Sequence, residues 1–252
     1  MKKALIFDLE GTLVSSGIPL PCSVELIDYM NNSNIPYCII TNTISKTVDE
    51  MEQNAKNSGL NVFKGSIINP LLVLNNFLEE NSVKTYYFVG PDYLKKLLVK
   101  KSADFEKTPE YVIFCDFEHI ECNYELFNTI FQYIQNGAKI VTTSYSNYYS
   151  SRNEQRMDTG IFVKMYELVT NEKAVILGKP SSAIYKLALN KLKMEPQNTI
   201  TVGDDVLTDV SGGKEMGIKT VLVKTGKYKE GDEKILEPDA VINNLEEIRK
   251  MI

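Results

Sequence analysis

Short apolar runs recur along the chain, separated by longer stretches of mixed polarity. The first, "ALIFDL", is nearly continuous in apolar residues, with no polar alternation. A run of that kind predicts a strand covered on both faces. A segment around Val24 to Met30, then "YCIITN", then "SKTVDEMEQNAKNSG" continue the series, the last a helical pattern stopped by Gly59. Later runs, "YYFVG", "YVIFCD", "KIVTTS", "AVILGK", "TITVGD" and "KTVLVK", are again spaced by helix-length segments. This alternation predicts an α/β fold with a largely parallel, doubly wound, Rossmann-like sheet.

Composition narrows the class. At 252 residues with 43% hydrophobic content, the chain suits one large domain or two modest ones. Its net charge of −5 is dispersed, so neither nucleic acid nor an anionic membrane is expected as a partner. The four cysteines, Cys22, Cys38, Cys115 and Cys122, show no paired C-x-x-C spacing and read as reduced thiols of a cytoplasmic protein. The beginning, "MKKALIFDLEGTLV", has a basic end, but Asp8 and Glu10 interrupt it and no cleavage site follows, so it reads as a first strand. No apolar run reaches the length of a membrane span.

Ligands of doubly wound sheets lie at the carboxyl ends of the strands, which makes the polar residues there informative. They are Asp8, Thr41, Lys179 and the cluster Asp204, Asp205 and Asp209. Several carboxylates with a lysine and a hydroxyl suit Mg²⁺ and a phosphate: the cation takes hard oxygen ligands, and the ammonium faces the anion as a point charge.

The ordered set "DLEGTLV", "IITNT", "GKP" and "VGDDVLTD" resembles the four motifs of the haloacid dehalogenase superfamily of phosphatases. "ITNTISKT" and "GGKEMGIKTVLVKTGKY" resemble its NagD-like branch of p-nitrophenyl phosphatase-like proteins. The resemblance spans nearly the whole chain. It implies a core of residues 1–80 and 176–252 and an inserted, smaller α/β cap over 81–175. It also implies a Mg²⁺-dependent phosphatase acting on a small phosphorylated metabolite, with a homodimer formed through the cap compatible with the family.

By the same resemblance Asp8 is the nucleophile, forming an aspartyl-phosphate that divides hydrolysis into two easier steps. Asp8, the main-chain carbonyl of Glu10 and Asp204 hold Mg²⁺, and Asp209, with Asp205 as a further candidate, orients that set. Thr41, Asn42 and Lys179 bind the phosphoryl group, and Lys179 steadies the nucleophile. Glu10 takes the general acid and base role.

Glu10 departs from the family's pattern, which has Asp at that place. Reference pKa values of about 3.9 for Asp and 4.3 for Glu leave the proton chemistry intact. Position is what changes, and misplacing a catalytic group by about 1 Å can cost around a hundredfold in rate. The alternative reading is therefore a catalytically weakened phosphate- and metal-binding or regulatory module.

Blander roles compete for several of these residues. Thr43 or Ser45 would serve as a helix cap, Lys179 before Pro180 as a surface lysine at a helix start, and the Asp204 to Asp209 loop as a cap for the next helix. "CDFEHIEC" brings Cys115, His119 and Cys122 close in sequence, but three ligands without a second half do not make a structural zinc site. "SYSNYYSSRNEQRMDTG" reads as a loop whose Tyr145, Tyr148, Tyr149, Arg152 and Arg156 either meet the substrate or are solvated, with Asp158-Thr159-Gly160 returning the chain to helix. A receiver-like signalling domain is disfavoured by the order of the acidic residues, and a dinucleotide-binding dehydrogenase by the absence of G-x-G-x-x-G after the first strand.

Overall fold

A computed structural model describes residues 3–118, 120–151 and 154–252. By its internal contacts the chain divides into two units, residues 1–69 with 179–252, and residues 70–178.

The first unit is built on a six-stranded parallel sheet, in spatial order Ala240–Ile242, Lys219–Val223, Thr199–Gly203, Ala4–Asp8, Tyr37–Ile40 and Ile67–Ile68. All five residues of Ala4–Asp8 are buried, as expected of a central strand whose two faces are both covered. From that strand the chain first winds outward through Tyr37–Ile40 to Ile67–Ile68. Thr199–Gly203 then pairs on the opposite side and winding runs the other way. The order thus reverses beside Ala4–Asp8, and a crevice at the strands' carboxyl ends belongs at such a reversal. Leu5, Phe7, Ile39, Ile200, Val202 and Val221 pack with Leu26, Ile27 and Met30 of the helix Ser23–Asn32 to form the main core.

Local signals fix the helix Val48–Asn57. Thr47 Oγ1 accepts the Glu50 N–H at 3.2 Å while the Glu50 carboxylate accepts the Thr47 N–H at 2.8 Å, a capping box. The cap is therefore Thr47, and neither Thr43 nor Ser45. A short antiparallel hairpin, Val14–Ser15 with Ile18–Pro19, follows the first strand and turns through positive φ at Ser16 and Gly17. Hydrophobic periodicity gave no sign of a hairpin whose arms are two residues long.

The second unit has its own four-stranded parallel sheet, in order Val175–Ile176, Lys139–Thr142, Tyr111–Phe114 and Tyr86–Val89. Phe114, Ile130, Ile140, Val163 and Tyr166 lie in its core. Two expectations change here. "AVILGK" supplies only a two-residue strand, and it pairs in this smaller sheet with Lys139–Thr142. "SYSNYYSSRNEQRMDTG" holds an antiparallel hairpin, Tyr148–Ser151 with Glu154–Met157, where a loop was expected. Its polar strands have exposed residues throughout Glu154–Met157 and so lack the apolar alternation by which a strand is recognised. The sequence placed the unit boundaries at 80/81 and 175/176, whereas the contacts divide the chain at 69/70 and 178/179. The helix Pro70–Glu80 is tied to the second unit: the Asn75 side chain bonds both the Leu97 carbonyl and the Val99 N–H, and Phe77 packs edge-on to Tyr111.

Candidate active site

Asp8 is the last residue of its strand, and Asp204 follows directly on the neighbouring strand Thr199–Gly203. Phe7 pairs in register with Val202, so both carboxylates emerge at the same end of the sheet. Asp209 comes back to them on a π-helical turn, Val206–Val210. One carboxylate oxygen from each of Asp8, Asp204 and Asp209 lies within 4.8 Å of the others, and all three residues are buried.

Lys179 is 4% exposed, which rules out a surface lysine. Its Nζ donates to Asp8 Oδ1 at 2.5 Å and to Asp209 Oδ1 at 2.7 Å. Its backbone is clamped by Asn42, which accepts the Lys179 N–H at 2.7 Å and donates to the Lys179 carbonyl at 3.0 Å. Asn42 thereby holds Lys179 by both backbone groups. Thr41 is buried at the end of Tyr37–Ile40, and its Oγ1 accepts the Thr43 N–H.

Burial raises the pKa of Asp8 from 3.8 to about 6, against the downward pull of Lys179, and does the same to Asp209. Burial, then the Asp209 charge, also raises Asp204. Lys179 goes up despite burial, because Asp209 and Asp8 favour its charged form. Three buried carboxylates against one ammonium leave negative charge in excess. A hard divalent cation with oxygen ligands fits that donor set.

Two other acidic residues lie outside this group. Glu10 is exposed, and its Oε1 accepts the Ser16 N–H at 2.6 Å on the hairpin turn. Its side chain is absent from the carboxylate cluster, which leaves the main-chain carbonyl as its metal-binding atom in the sequence reading. Asp205 takes the capping role. Its Oδ1 accepts the Leu207 N–H at 2.9 Å, and its Oδ2 pairs with Lys227 Nζ at 3.1 Å. Burial would raise its pKa, but the charge of Lys227 brings it below the usual value.

Sequence reading missed the supports of this cluster. Thr12 Oγ1 donates to Asp204 Oδ1 at 3.1 Å, and the Lys227 N–H donates to Asp204 Oδ2 at 2.6 Å. The buried Tyr185 donates its hydroxyl to the carbonyls of Thr208 and Asp209, both at 3.2 Å. Gly11, at φ +92, was the available signal: a Cβ there would overlap the Asp204 carboxylate. In the second unit two of the groups named as candidates to face a substrate are tied up locally. Tyr145 donates to Glu167 at 2.5 Å and Arg156 pairs with Glu118 at 2.6 Å, while Tyr148 is exposed. Asp158 caps the helix Thr159–Thr170 by accepting the Thr159 N–H at 2.7 Å, as the return to helix required. Cys115 is buried and Cys122 exposed; His119 and Arg152 lie outside the described residues.

The family described as haloacid dehalogenase-like hydrolase matches residues 5–104, and a second family of that group, described as HAD-hydrolase-like, matches residues 176–248. The two matches take in Asp8, Lys179, Asp204 and Asp209. The chain belongs to the haloacid dehalogenase-like hydrolases. Among relatives, haloacid dehalogenase-like hydrolase domain-containing protein 2 of Bos taurus is 27% identical over 236 residues, covering 94% of this chain and 89% of that protein. Phospholysine phosphohistidine inorganic pyrophosphate phosphatase of Xenopus laevis is 26% identical over 252 residues, with 96% and 92% covered. NagD from E. coli K-12 shares the fold at a TM-score of 0.84, with 23% identity and 96% of each chain covered. In this chain, then, the unit built on the six-stranded sheet is interrupted in sequence by a second α/β unit. No helix among the described residues is long and apolar enough to cross a membrane.

Proposed function

We propose that the chain is a Mg²⁺-dependent phosphatase of a small organic phosphate, with Asp8 as nucleophile. The observation that carries this reading is the buried Lys179 ammonium bridging Asp8 and Asp209 beside Asp204. An ammonium in that place keeps Asp8 ionised and faces an incoming phosphoryl group. A Mg²⁺ ion held by Asp8 and Asp204 would neutralise phosphate charge as the nucleophile approaches.

Asp8 attacks phosphorus, the bond from phosphorus to the ester oxygen breaks, and Glu10 gives that oxygen its proton. Water then attacks the aspartyl-phosphate, its proton passes to Glu10, the bond from Asp8 to phosphorus breaks, and inorganic phosphate leaves. Thr41 and Lys179 hold the phosphoryl oxygens through both steps, and Asn42 keeps Lys179 in place.

The contact between Glu10 and Ser16 favours a second reading, in which a carboxylate engaged on the hairpin turn leaves turnover slow and the chain acts mainly by binding phosphate and cation. Phosphate release from p-nitrophenyl phosphate and a panel of sugar, glycolytic and nucleotide monophosphates separates the two. Metal-dependent turnover by the wild type, abolished in Asp8→Asn, supports the phosphatase. An inert wild type together with an active Glu10→Asp supports the binding module. Undiminished turnover in Asp8→Asn refutes the mechanism.

A further inference from the structure

The Asp204 carboxylate is gripped by a part of the chain that the reaction itself does not use. Its Oδ1 accepts from Thr12 at 3.1 Å and its Oδ2 from the Lys227 N–H at 2.6 Å, so each oxygen has one donor and keeps lone-pair capacity for a cation. Gly11 and Gly226 both have positive φ and lie close against the carboxylate at Oδ2. A Cβ on either would overlap it, and one on Gly226 would also meet the Gly11 Cα. Thr225 Oγ1 donates to the Gly11 carbonyl at 2.6 Å. Lys227 Nζ reaches Asp205, the residue after Asp204, at 3.1 Å. Residues 225–227 thus bond both the loop that follows Asp8 and the loop that begins at Asp204.

We propose that Thr225, Gly226 and Lys227 are positioning residues that fix the Asp204 carboxylate relative to Asp8 and thereby set the affinity for the divalent cation. The physical reason is the narrow tolerance of Mg²⁺, which demands near-octahedral geometry at short distances. With a donor on each oxygen and two glycine backbones close against Oδ2, the carboxylate cannot turn without breaking a hydrogen bond or a close contact. The Thr225 hydroxyl links that grip to Gly11, three residues along the chain from Asp8. These residues lie in the stretch "GGKEMGIKTVLVKTGKY", but that pattern does not show what they bond, because two of the three bonds use backbone atoms.

The inference rests on the divalent-cation reading of the carboxylate cluster, and the test separates the two. Metal-free wild type, Thr225→Val, Thr225→Ser and Gly226→Ala are titrated with MgCl₂ in the absence of substrate, with Mg²⁺ affinity taken from the shift in thermal unfolding. Loss of a group that orients a metal ligand typically weakens metal binding by about 10- to 100-fold. Thr225→Val, nearly isosteric but without the hydroxyl, is expected to raise the Kd for Mg²⁺ about tenfold, and Thr225→Ser to restore it. Gly226→Ala is expected to raise it at least as much. Unchanged Mg²⁺ affinity in Thr225→Val, even with a lower melting temperature of the metal-free protein, overturns the clamp and leaves an ordinary structural turn. A wild type that gains no stability from Mg²⁺ overturns the cation reading and the clamp with it.

Discussion

Removal of the Lys179 charge tests the electrostatic account most directly. Lys179→Met keeps a chain of similar length and removes the ammonium, so packing changes little while Asp8 and Asp209 lose their shared partner. Both carboxylates and the lysine are buried, so water cannot take over the lost contact. Breaking a buried ion pair by removing one partner costs about 3–5 kcal/mol, because it leaves an uncompensated buried charge. That cost is expected at pH 8 in the metal-free protein.

The cost should fall with pH in a defined window. Asp8 and Asp209 in the folded wild type have pKa values raised to about 6, with Lys179 already pulling both down. Without the ammonium they rise further. A carboxyl whose folded pKa exceeds its unfolded value favours the folded state at low pH, and that advantage disappears as pH rises through the folded pKa. At pH 5 the variant therefore carries Asp8 and Asp209 neutral, and most of the penalty is gone. Urea unfolding of wild type and Lys179→Met in EDTA, at pH 5 and pH 8, measures the difference. A variant as stable as wild type at pH 8, or a penalty equal at both pH values, would refute the reasoning.

Asn42→Ala removes both bonds to the Lys179 backbone while leaving the ammonium present; kcat for p-nitrophenyl phosphate should drop about a hundredfold, the usual effect of misplacing a catalytic group by about 1 Å. Mg²⁺ at about 100 times its Kd should stabilise the wild type by about 2.7 kcal/mol in urea, and chelation should remove both this increment and turnover. Thr47→Ala, which breaks the capping box of Val48–Asn57, should cost about 1 kcal/mol of stability and leave the Mg²⁺ affinity unaltered in the same titration.

The sequence by itself determined the fold class and which polar residues end the strands of the main sheet. Continuous apolar runs such as Ala4–Phe7 can be buried only with both faces covered, and polar residues that end such runs are delivered to one edge of a parallel sheet. That is why Asp8, Thr41 and Asp204 were legible from position alone. Tertiary structure decided which polar groups meet. The bond between Asn42 and Lys179 spans 137 residues, and that between Thr225 and Gly11 spans 214; no local pattern encodes either. It also divided the acidic residues, sending Asp209 to Lys179, Asp205 to a helix cap and the longer Glu10 side chain to the turn at Ser16. Strand periodicity reports burial. The hairpin of Tyr148–Ser151 with Glu154–Met157, whose second strand faces water throughout, therefore left no trace in the hydrophobic pattern.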